Sequence, residues 1–167
     1  MLALILLSVG ILARFVFHIP NFTPVIAIAL FGGFYLDKKY AILLPLALMM
    51  ITDVFLGLHN VIPFTWGSLA LIAFVGLKAR RQKSVTTVAA TSLASAVGFF
   101  VITNFGVWLA TDLYAKNMAG LITCYQMALP FFRALLAGTA LYALALFGGY
   151  ELIAAQVKKT KLAKTVL

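Results

Sequence analysis

The sequence predicts an all-α integral membrane protein: six transmembrane helices in one bundle, with both termini in the cytoplasm. Three observations predict it. Of 167 residues, 64% are hydrophobic and only 10% are charged, whereas a water-soluble domain carries roughly a quarter charged residues. The apolar segments are separated by proline, glycine and charged turns at intervals that suit helices reaching across a bilayer. Finally, ten of the thirteen Lys and Arg lie in three places: Lys38 and Lys39; Lys78, Arg80, Arg81 and Lys83; and Lys158, Lys159, Lys161 and Lys164. Six helices bring those three places to one side, and the positive-inside bias puts that side in the cytoplasm. The net charge of +9 is thereby explained by topology, and no nucleic-acid partner is expected. The chain reads as one domain over residues 1–157 with a basic cytoplasmic tail over 158–167, free to touch anionic lipid. No basic stretch precedes the first apolar run, so a cleaved signal peptide is not expected.

Taken in order, the first helix is expected from Leu2 to Phe17, short of the ~20 residues of a full span. Arg14 and His18 are four apart on one face, with Gly10 one turn below. Pro20-Asn21-Phe22-Thr23-Pro24 then breaks the chain, because proline donates no backbone hydrogen bond and disfavours helix in the residue before it. Thr23 is the expected cap, and Pro24 the first residue, of a second helix ending near Leu36. Non-helical backbone at membrane depth is tolerated where protein buries it or where it lines a wet cavity; an ordinary tight turn is the plainer reading. The third helix is expected over Tyr40–Leu58 with Pro45 inside, and the fourth from Asn60–Pro63 to Leu77. The fifth runs from Ser84 to Ala110, with small residues early for close packing. A polar connection over Thr111–Ile122 leads to a sixth helix from Thr123 to Gln156, with Pro130 in its first turns.

The polar residues that remain fall in the outer half. Arg14, Asp53 and Arg133 are ionisable groups at membrane depth, which usually face a cavity or each other. One reading is a structural ion pair of Asp53 with Arg133 or Arg14; two arginines and one acid would then leave a positive charge for a ligand. Three helices start on the outer side, where their dipoles favour an anion. The candidate binding residues are Arg14, His18, Asn21, Phe22, Thr23, Asp53, His59, Asn104, Phe105, Trp108, Tyr125 and Arg133. Phe22 and Phe105 each follow an asparagine, so an amide and a ring could grip a flat organic ligand, although an interfacial aromatic belt accounts for rings at this level too. His18 and His59 are the only histidines and Cys124 the only cysteine, so no metal site, cofactor or disulfide is expected. Nucleophile elbows, zincin motifs and phosphate loops are missing. Asp53 and His59 have no nucleophile beside them, and the chain is not expected to be an enzyme.

Several stretches together carry a resemblance: Pro20–Val25, Ala29–Gly33, Asp53 with Leu56–His59, Thr103–Trp108, and Cys124–Tyr125 with Ala128–Arg133. On these the chain resembles an uncharacterised family of small bacterial membrane proteins assigned to transport (DUF6580-like). Its size and helix number are similar to those of the substrate-capture (S) subunits of energy-coupling-factor transporters. The resemblance implies a multi-pass protein of the bacterial inner membrane. It would take a small, anionic, vitamin-like nutrient into an outward-facing pocket, with a membrane coupling subunit and ATPases as partners. Such S subunits carry an Ala-x-x-x-Ala pattern on the first helix, which is missing here; small residues four apart occur instead at Ala90 and Ala94, and at Ala134 and Gly138. The alternative is a non-transporting assembly or docking protein whose outer polar cluster is structural.

Overall fold

Long apolar runs with few β-branched clusters, broken at prolines, glycines and charged pairs, fold here as helices. A computed structural model of the chain describes residues 2–16 and 20–159, the last three as backbone alone. The helices are α1 (Leu2–Val16), α2 (Val25–Tyr35), α3 (Lys38–Leu56), α4 (Ile62–Ala79), α5 (Val85–Ala110), α6 (Met118–Ala143) and α7 (Gly149–Lys159). A 3-10 turn, Arg80–Gln82, extends α4, and a wide π-helical turn, Leu144–Gly148, joins α6 to α7 in one continuous rod. Six rods result, and no strand occurs among the described residues. Four of them, Lys38–Leu56, Ile62–Gln82, Val85–Ala110 and Met118–Gln156, are long and apolar enough to cross a membrane; α1 and α2 are shorter.

The expected boundaries shift in instructive places. Helix α6 begins at Met118, five residues before the expected Thr123, because the Asn117 side chain caps it by accepting from the Gly120 N–H at 2.9 Å. Ser84 does the same for α5 through the Thr87 N–H. Thr23 does not cap α2: Pro24 holds the cap position and no side chain accepts from the first turn. Asn21 takes a left-handed backbone, φ 61°, which asparagine tolerates better than most residues. The expected Phe17 end of the first helix, and Lys161 and Lys164 of the expected tail, lie outside the described residues; Lys158 and Lys159 continue α7.

Helix α2 is the centre of the bundle. Every residue from Val25 to Phe34 is buried, and α3, α4, α5 and α6 all pack on it. At eleven residues it is only ~16 Å long, about half the hydrocarbon thickness of a bilayer. The turn before it rests on α6: a Cβ on Gly138 would lie 3.2 Å from the Cα of Phe22, and the Phe22 ring meets Tyr142 at 5.6 Å. The break therefore rests against α6 through Phe22, while Pro20 and Asn21 are exposed and Pro24 is buried. At its other end α2 is held by rings: Phe31 and Phe34 pack edge-on against Phe147 of the π turn, and Tyr35 meets Tyr150 at 4.4 Å.

The 2–3 connection, the 4–5 connection and the start of α7 gather at one end, where Arg80 donates to the Leu36 carbonyl at 3.4 Å and Lys83 pairs with Glu151 at 2.7 Å. The basic connections thus share one side, as the charge pattern anticipates.

Between α2 and α4 the backbones touch. A Cβ on Gly33 would fall 2.8 Å from the Gly76 Cα, and one on Gly76 would fall 2.5 Å from the Leu30 carbonyl oxygen. These are backbone obstacles, which no rotamer change relieves. Gly33→Val is expected to lose about 2 kcal/mol or more by overpacking, read as a lower midpoint of thermal unfolding in detergent. Gly98→Ala, which meets nothing within 4 Å, should be neutral or slightly stabilising; equal midpoints for the two variants would refute the close-approach reading.

Candidate functional site

Arg14 on α1, Asp53 near the end of α3 and Trp66 in the second turn of α4 come together. Asp53 is 1% exposed, and both its oxygens are used: Oδ1 accepts from Arg14 Nη2 at 2.9 Å, and Oδ2 accepts from Trp66 Nε1 at 2.9 Å. Arg14 Nη1 also donates to the Met49 sulfur. A carboxylate this deep must be matched by charge and donors or it will not ionise, and here it is matched twice. The arrangement is the structural ion pair, with Arg14 as the cation. Trp66, which is not among the candidate residues, is a donor to the acid; its N–H falls thirteen residues after Asp53 across a turn, a spacing that no local pattern flags.

Arg133 does not join this cluster. Its side chain is exposed on α6, which packs against α5 and α2, and the cation expected to be left over for a ligand stands apart from the pair. His59 is exposed in the connection before α4. His18 lies outside the described residues. Phe105 is 40% exposed and packs on Phe64 and Trp108, while Trp108 donates to the Ala115 carbonyl at 2.9 Å. Tyr125 donates to the Val101 carbonyl at 2.7 Å, across the α5–α6 seam. Phe22 lies against Tyr142 and Gly138. The eleven described candidates are therefore distributed over several places.

Two of them do converge. Asn21, from the break before α2, and Asn104, from α5, line one small cavity of about 50 Å³ together with Thr103, Phe100, Phe131 and Phe132. The Asn104 amide donates to the Phe100 carbonyl at 2.8 Å, and Thr103 donates to the Phe99 carbonyl at 2.8 Å. Both therefore tie a proton back to their own helix and keep an acceptor oxygen. The cleft lies about 9 Å below the end of α5, counting six residues from Asn104 to Ala110. Four residues beyond Asn21, α2 starts with no side-chain cap, so its first N–H groups carry the partial positive charge of a helix start. Chemically the cleft offers amides, a hydroxyl, ring faces and a nearby helix N-terminus. Its volume takes water or a group of a few atoms, well below the ~300–1,000 Å³ of a typical ligand pocket. Among the described residues no group of His, Cys, Asp and Glu could hold a metal ion.

Sequence reasoning does not reach two features. Tyr35, Lys83 and Glu151 form a polar cluster at the basic end: Lys83 pairs with Glu151 and sits 4.6 Å from the centre of the Tyr35 ring, and Tyr35 donates to Glu151. A cavity of about 790 Å³ opens beside it, between α5 and the α6–α7 rod. Glu151 is a lone acid in a basic region, which is the one signal the sequence carries for the cluster.

Residues 1–162 match the family of unknown function DUF6580, and the chain belongs to that family. No curated protein and no solved structure matches it.

Breaking the buried pair from one side leaves an uncompensated charge. Asp53→Ala is expected to cost about 3 kcal/mol, seen as a lower unfolding midpoint. The double variant Arg14→Met with Asp53→Leu should recover most of that loss, which a double-mutant cycle measures. Equal stability of wild type and Asp53→Ala would contradict the assignment.

Proposed function

We propose that this DUF6580 protein is a membrane substrate-binding protein of the transport type. It captures a small organic nutrient by a polar or anionic group at the Asn21–Asn104 cleft. The observation that carries the reading is the convergence of these two amides, from chain segments more than eighty residues apart, on one cavity walled by rings. The uncapped start of α2 supports an anionic group, as does Arg133, one residue beyond Phe132 of the cleft wall. Arg14 does not, because Asp53 neutralises it. A cleft of about 50 Å³ must widen to admit a nutrient, and the seam of α5 and α6 is where it can part. Transport would then require a membrane coupling subunit and ATPases, in the manner of the S subunits of energy-coupling-factor transporters. The site would face outward across the bacterial inner membrane, with six spans and both termini inside.

A second reading, a non-transporting assembly or docking protein, is favoured by one observation: Arg14, Asp53 and Trp66 are bonded to one another across three helices, with the charge of Arg14 balanced by Asp53.

Native mass spectrometry of gently purified protein separates the two. Capture predicts a discrete added mass on the wild type that is lost in Asn104→Ala and in Asn21→Ala, with unfolding midpoints unchanged within about 0.5 kcal/mol. Repeatedly bare wild-type protein, with full stability, supports the assembly reading instead.

A further inference from the structure

The cavity of about 790 Å³ is lined by α5 from Ser84 to Ala96 and by the α6–α7 rod from Leu136 to Glu151. Small residues line both walls: Ala89 and Ala96 on α5, Ala140 and Ala143 on α6, with Ala89 and Ala140 exposed. Leu93 and Leu144, 58% and 73% exposed, flank a lateral opening, so the cavity is a groove that faces the bilayer.

Three properties narrow its occupant. The first is length. From Ser84 to Ala96 the groove runs about 18 Å along α5, close to the ~15 Å of a single leaflet's hydrocarbon. Beyond that it is blind, because Phe100 and Phe132 close the seam with ring centres 4.4 Å apart. A partner's spanning helix would need a groove of full bilayer depth; a lipid tail needs half. The second is polarity. The walls are almost wholly apolar until the groove reaches Lys83, Tyr35 and Glu151 at the basic end, with Arg80 and Arg81 next in the chain. The third is that the wall hydroxyls are buried and leave the groove surface apolar. Ser92 and Thr139 are 6% and 2% exposed, and neither hydroxyl has a hydrogen-bond partner.

We infer that this groove binds one phospholipid of the leaflet on the basic side. Its phosphate lies at the Lys83 end, and an acyl chain fills the channel between α5 and α6, running past Ser92 and Thr139. The basic neighbours select an anionic headgroup. This site is separate from the Asn21–Asn104 cleft and does not depend on that cleft being functional.

The test uses the full chain in a mild non-ionic detergent, titrated with dioleoyl phosphatidylglycerol and followed by native mass spectrometry and thermal unfolding. One saturable equivalent per chain is expected, with a raised unfolding midpoint. Ala140→Trp fills the groove from an exposed position and should weaken retention about tenfold. Ala89→Trp, on the opposite wall, provides the same comparison if the first variant does not fold. Lys83→Glu should weaken phosphatidylglycerol more than dioleoyl phosphatidylcholine, and millimolar inorganic phosphate should leave the midpoint unmoved. Equal retention by wild type and both groove-filling variants would mean non-specific surface lipid and overturns the inference. So does a dimer that Ala140→Trp dissolves, since the occupant would then be a second copy of this chain, and so does stabilisation by free phosphate alone.

Discussion

Where α2 crosses α4, Gly33 and Gly76 let two backbones meet with no side chain between them. That approach allows an eleven-residue helix to sit inside a bundle of much longer ones. Without a hydrophobic driving force between helices in lipid, close van der Waals contact is the main source of their association, and α2 makes such contact on all sides. Its near-uniform apolarity follows from this position: a helix buried all round has no polar face to show. The neighbours are arranged by the same contact. Helix α3 closes on α1, where a Cβ on Gly10 would strike Leu48 and Ile28, and rings on α2 seat the π turn.

A short central helix creates a vacancy above it, which the chain fills with the Pro20–Pro24 break. Polar groups at that end of the bundle have two fates. Arg14, Asp53 and Trp66 satisfy one another and act as a clasp between α1, α3 and α4. Asn21 and Asn104 do not saturate each other and leave a cavity. The clasp accounts for the cost of holding a carboxylate at depth, and the amides provide the place where chemistry from outside the chain can be received. The two roles involve different helices and share no residue, so substitutions can address them separately.

Much of the fold was legible in the sequence because its determinants are local or compositional. The apolar segments, the Pro20–Pro24 break and the clustering of Lys and Arg place the helices to within a few residues and bring the basic connections to one end. The errors arise where a side chain overrules composition: Asn117 starts α6 inside what reads as a polar loop, and Thr23 yields its cap to Pro24. The site was legible only in part. Polarity at depth identifies Arg14, Asp53, Asn21 and Asn104, but partner choice depends on helix rotation, which the sequence does not encode locally. Nearly featureless amphipathicity in α2 and α5 left those rotations unspecified. Arg133 and Arg14 therefore read as equal candidates to pair with Asp53, and rotation selects Arg14 and leaves Arg133 exposed, while Trp66, not a candidate at all, is the second donor.

The wide turn at Leu144–Gly148 carries one residue more per turn than the helix on either side. Such a turn is what a single-residue insertion leaves behind when the helix around it is kept. It works as a gear: each residue gained or lost there turns everything downstream by ~100° about the rod axis. In this chain the gear is set so that Phe147, Tyr150 and Glu151 all reach α2 or Lys83. A homologue shorter by one residue at this point would keep its six rods and its Asn21–Asn104 cleft, yet swing a different set of side chains onto the basic face. Length variation at this turn, more than substitution elsewhere, would be the economical way for such a protein to change what it touches on that side of the membrane.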